Sequence, residues 1–89
     1  MNQVAAIGRI VHFVLPSGRS AGEHRPAIIV RVWPQSEPGH GGTVQLQVFT
    51  DSDKDGRYND ELPPVMWATS VVNDEIATKP GTWHWPERE

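Results

Sequence analysis

The run "TDSDKDGRYNDELPP", residues 50–64, places Asp51, Asp53, Asp55, Asp60 and Glu61 in eleven positions around Gly56. Carboxylates at positions one, three and five with glycine at six are the opening of an EF-hand calcium loop. The rest of that pattern fails. The twelfth position, which supplies a bidentate glutamate, is Leu62, and Glu61 comes one place early. The preceding residues alternate as a strand, and Pro63 and Pro64 forbid an exiting helix. The plain reading is a hairpin connection with Asp55-Gly56 at its tip. The alternative is a looser calcium loop, because calcium accepts irregular oxygen geometry. Its ligands would be Asp51, Asp53, Asp55, Asn59 and either Asp60 or Glu61.

A second group is "KPGTWHWPE", residues 79–87. As a strand it sends Trp83 and Trp85 to one face and His84 to the other. With Trp33 and Trp67 the chain has four tryptophans, more than so small an interior readily holds. Trp83 and Trp85 are therefore expected beside a contact surface, with an end plug of the core as the other reading. His12, His24, His40 and His84 show no ligand spacing, no i,i+4 pair and no supporting cysteine. His24 and His40 read as loop residues. A zinc site would require the fold to gather them, and none is expected; calcium is the sole cofactor considered. No nucleophile-elbow, Walker or dinucleotide-binding pattern occurs.

These residues must be positioned by short strands. Val and Ile number fifteen against five for Leu and Met, a strand-forming bias, and Gly and Pro together number sixteen. Residues 7–15 alternate, with Val11, Phe13 and Leu15 on one face. A long polar connection follows. Residues 27–33, "AIIVRVW", are nearly continuously apolar and read as a central strand covered on both sides. Residues 43–49 alternate strictly, with Val44, Leu46 and Val48 inward and Gln45, Gln47 and Phe49 outward. Residues 65–72 and 83–85 supply the fourth and fifth strands. Residues 73–79 have room for one helical turn only. The expected fold is all-β: residues 1–89 as one small SH3-like five-stranded barrel, with a short helical turn before the last strand.

Eighty-nine residues without cysteine leave packing, a bound ion or self-association as sources of stability. The N-terminus has neither a basic region nor a long apolar stretch, and no run approaches a membrane span. The net charge of −3 resides in the acidic segment, since six basic and six acidic residues balance elsewhere. A general nucleic-acid binder carries a basic excess that is missing here. The expectation from composition is a soluble, intracellular protein with no membrane association.

Two resemblances add to this. Gly8-Arg9-Ile10-Val11, Ala21-Gly22 and the run from His24 to Val30, "HRPAIIV", resemble the opening third of MazF/PemK-type toxin endoribonucleases. That resemblance implies an SH3-like barrel and catalytic roles for Arg25 and Thr50, the guanidinium neutralising a phosphorane-like transition state. Nearly the whole chain, through "VHFVLPSG", "HRPAIIVRVW", "LQVFTD", "WATSV" and "PGTWHWPE", resembles a family of small phage and prophage proteins. This implies a viral or prophage origin and leaves the activity open.

Three classes of function follow. As a non-enzymatic accessory binding protein, the chain would hold a nucleotide-like ligand or a host protein. It would use Trp33, Phe49, Trp83, His84, Trp85, Arg25 and Arg31, stacking on indoles and pairing guanidinium with phosphate. As a virion component it would bury the same aromatics between copies, and a homo-oligomer is expected in either case. As an endoribonuclease it would rely on Arg25 and Thr50, although no general base stands beside Arg25 in the sequence. The binding role is the reading preferred.

Overall fold

A computed structural model describes residues 5–33, 43–51, 55, 63–76 and 79–87. Five strands form: β1 (Ile10–Val14), β2 (His24–Val32), β3 (Val44–Phe49), β4 (Val65–Val71) and β5 (Trp83–His84). They make one antiparallel sheet in the order β4-β3-β2-β1-β5. The protein is all-β, with no helix among the described residues. None is therefore long and apolar enough to cross a membrane.

Alternation decides which side chains enter the core. Val11 and Phe13 of β1, Ala27 and Ile29 of β2, and Val44, Leu46 and Val48 of β3 lie on one face with Leu15, Val71 and Trp83. β3 follows its sequence pattern closely: Val44, Leu46 and Val48 are fully buried, and Phe49 is exposed. β2 departs from expectation. It starts at His24, not residue 27, and only one of its faces is fully buried, since Ile28 and Val30 are half-exposed. Its apolar run reflects a central position in the sheet more than cover on both sides. Pro26 is tolerated because the ladder to β3 begins at Ala27, so the strand is unpaired on that side where the N–H is missing.

Two bulges bend the sheet. One lies between Ile29 and Arg31 on β2, the other between Val44 and Leu46 opposite β4. At the second, β4 carries the extra residue, and Ser70 adopts a left-handed φ of 53°.

The sheet does not close into a continuous barrel ladder. Its edges meet through one parallel bridge, Asn73 to Trp83, where Trp83 N–H donates to Val72 O at 3.0 Å and Asp74 N–H to Trp83 O at 2.8 Å. Of the expected helical turn over residues 73–79, residues 77–78 lie outside the described residues, and Glu75 and Ile76 form a turn, not a helix. Asp74 organises it, accepting from Ile76 N at 3.2 Å and Lys79 N at 3.1 Å. Aspartate satisfies nearby backbone donors this way in competition with a helix, and Pro80 disfavours helical backbone at Lys79.

Candidate metal centre

On the face opposite the core, β1 presents Ile10, His12 and Val14. Register then sets their neighbours. His12 lies directly across from His84 on β5 and from Pro26 on β2, while Val14 lies across from His24. Directly opposed residues share a face, and those one pair further along are diagonal neighbours. His12, His24 and His84 therefore converge although they are far apart in the chain. The His24 and His84 ring centroids are 4.5 Å apart and those of His12 and His84 5.7 Å, with the rings steeply inclined in both pairs.

Three residues beyond His84, Glu87 turns its carboxylate into the group. Oε2 accepts from His12 Nδ1 at 2.7 Å and Oε1 from His24 Nδ1 at 2.5 Å. Oε1 also accepts from His84 Nε2. An ionised carboxylate can only accept, so these three nitrogens carry the protons. Burial tends to raise the Glu87 carboxyl. Hydrogen bonds from His12, its own backbone N–H, His84 and His24 outweigh that and hold it at about 2. His84 is buried, and its second nitrogen, Nδ1, has no hydrogen-bond partner.

One donor atom from each of His12, His24, His84 and Glu87 falls within 4.8 Å of all the others. Bonds of about 2.0–2.2 Å place adjacent donors of a tetrahedral zinc about 3.4 Å apart, and trans donors of a six-coordinate ion about 4.2 Å apart. The widest separation thus exceeds those of a filled site by up to about 0.6–1.4 Å, whereas the Glu87–histidine contacts are shorter, so filling the site takes side-chain rotation that moves the carboxylate off the imidazoles. Three imidazoles and one carboxylate are a donor set for zinc, iron, nickel or copper, and one poor in oxygen for calcium or magnesium.

Apart from His84, the residues singled out by sequence fall elsewhere. Arg25 lies on the core-side face of β2 and is occupied by Asp55: Nε donates to Oδ2 at 2.7 Å and Nη2 to Oδ1 at 2.5 Å. Arg25 also donates to His24 O at 2.9 Å and to Glu23 Oε1 at 3.2 Å. Asp55 is fully buried and accepts from Asp51 N at 2.8 Å. Its carboxyl is drawn down to about 2, chiefly by the Arg25 hydrogen bonds and against the effect of burial. Arg25 is raised in turn. Thr50 Oγ1 donates to Pro63 O at 2.6 Å, and Thr50 N to Pro64 O at 2.9 Å, so this hydroxyl closes the base of the acidic loop. Of the calcium ligands considered, Asp51 is exposed, Asp55 has both oxygens engaged, and Asp53, Asn59, Asp60 and Glu61 lie outside the described residues.

The aromatic residues do not form one surface. Trp83, expected at a contact surface, is a fully buried core residue in edge contact with Trp85 at 5.3 Å. His84 is likewise buried. Trp85 is half-buried, with the Arg9 guanidinium 4.9 Å above its ring. Arg31 stacks on half-buried Trp33 at 4.0 Å. Phe49 is exposed, as expected, beside Val65 on β4. Trp67 was not singled out from sequence as a site residue, yet it is 51% exposed on the same face.

His12, His24 and Glu87 are the site residues that sequence reasoning misses. His24 is the first residue of a strand, not a loop residue, and this brings it beside His12. The one local signal is parity: His12 sits between buried Val11 and Phe13, and His84 follows buried Trp83. Comparison with family models, curated proteins and solved structures found no match.

Proposed function

We propose that this protein is a small metal-binding β-sheet domain whose centre is His12, His24, His84 and Glu87, with zinc as the first candidate. The observation that carries the proposal is the convergence of four donors from β1, β2, β5 and the following segment within 4.8 Å. Aspartate and glutamate clusters on exposed loops are common without function. Three imidazoles held together by strand register are not explained by solubility.

An ion here would reinforce β5, which only two register pairs join to β1. β5 has two residues, and metal binding would tie it to β1 and β2, giving a cysteine-free chain the bound-ion contribution to its stability. The reading also takes the sheet as a partly closed SH3-like barrel, supported by the Asn73–Trp83 bridge. The test is titration of chelator-treated protein with zinc and with cobalt by calorimetry and visible absorption. Saturable uptake of one ion per chain is expected, lost in His12→Ala and in His24→Ala, both at half-exposed positions that tolerate substitution. No saturable uptake by the wild-type chain would refute the centre.

A second reading retains the accessory-binding role through the exposed group of Phe49, Val65 and Trp67 on β3 and β4. Apolar side chains gathered at one place on a sheet face suit a protein or planar partner better than isolated exposed residues do. Trp67→Ser should weaken self-association if that partner is a second copy.

A further inference from the structure

Resting on the metal-centre reading, we propose that Glu87 is a displaceable ligand: His12, His24 and His84 hold the ion, and a small oxyanion or water exchanges with the carboxylate.

The four ligands differ in how they are held. His12, His24 and His84 belong to strands whose ladders fix their backbones, and moving any of them breaks register with a neighbour. His84 is also packed, with its side chain 2% exposed. Glu87 belongs to no strand, and its side chain is 43% exposed. Among the described residues, the last backbone tie before it is Trp85 N–H donating to Glu75 at 3.1 Å, and Pro86 has no N–H to give. What positions the Glu87 carboxylate is the histidine group itself. A carboxylate placed by the site and by little else is the ligand that leaves at least cost.

Charge favours an anion in its place. Three neutral imidazoles leave a divalent ion with its full charge, and only Glu87 reduces it. His12 and His24 are 28% and 32% exposed, so solvent reaches the side of the ion that Glu87 covers. A three-histidine ion with one exchangeable position is the arrangement in which zinc lowers the pKa of bound water to about 7 and polarises an oxyanion. Glu87 would then gate that position, closed when bound and open when displaced.

The test uses the full chain loaded with cobalt, whose visible spectrum reports coordination, in wild-type, Glu87→Ala and Glu87→Gln forms. Azide and inorganic phosphate are titrated into each. Both variants should retain one cobalt per chain, bind it more weakly than wild type, and bind azide at least about tenfold more tightly than wild type. Two outcomes overturn the proposal while leaving the metal centre standing. Variants that are folded by circular dichroism yet take up no cobalt would make Glu87 an obligatory ligand. Variants with the wild-type spectrum and azide affinity would show that Glu87 never ligates. A wild-type chain that takes up no cobalt removes the centre itself, and this proposal with it.

Discussion

Asp55→Ala should destabilise the protein by about 3 kcal/mol at neutral pH, through the ion pair that ties the acidic loop to β2. The carboxylate is fully buried and receives two hydrogen bonds from Arg25, one from Asp51 N–H and one from the Ser20 side chain. Removing one partner of a buried pair leaves the other charge uncompensated and commonly costs about 3–5 kcal/mol. The lower end applies, because Arg25 keeps Glu23 and the His24 carbonyl, and its side chain is 15% exposed. An independent figure comes from proton linkage. The Asp55 carboxyl falls from 3.8 to about 2 on folding. At 1.36 kcal/mol per pKa unit, that is about 2 kcal/mol of stability. The folded value is depressed, so this stability is complete above about pH 4 and lost as pH falls through about 2. Urea unfolding of wild type and variant should be followed at pH 7 and in steps down to pH 2. Glu87 titrates in the same window in both proteins, so the difference between them isolates Asp55. A gap of about 3 kcal/mol at pH 7 should narrow as the pH approaches 2. A variant within about 0.5 kcal/mol of wild type at pH 7, with parallel acid profiles, would refute the reasoning and leave Arg25 free for another role.

Trp83→Ala should cost about 3–5 kcal/mol of stability, as for a large buried side chain, while Trp85→Ala costs visibly less; equal effects in thermal melts would contradict the burial assigned to Trp83. Zinc in hundredfold excess over its Kd should stabilise wild type by about 2.7 kcal/mol, and the rise in Tm should shrink on acidification as protons compete for the imidazoles. Persistence of the full shift in His12→Ala would place the ion elsewhere. Millimolar calcium should leave the Tm unchanged, because Asp55, the middle carboxylate of the acidic run, is committed to Arg25; a calcium-dependent rise reversed by chelator would revive the loop as a calcium site.

The elements of this fold are legible in the sequence because strand formation is local. The alternation over residues 43–49 and the Val11-Phe13-Leu15 face can be read from a few consecutive residues, and each enters the core as its parity dictates. The acidic segment is likewise readable as a connection between strands, since its flanking prolines and preceding alternation exclude an EF-hand without reference to any distant residue. What the sequence does not contain is register. His12, His24 and His84 meet because β1 pairs with β2 in one offset and with β5 in another, and Glu87 follows His84 by three residues. A slip of one residue in either ladder would turn the paired histidine to the core face. Arg25 and Asp55 are thirty residues apart, and only the return of the acidic loop against β2 makes them an ion pair. Trp83 differs again: its type suggested a surface anchor, and its burial follows from the Asn73–Trp83 bridge that draws the two sheet edges together over it. Side-chain chemistry and strand parity are properties of short segments, whereas the candidate centre is a property of how the segments pair, and pairing is decided by the whole core at once.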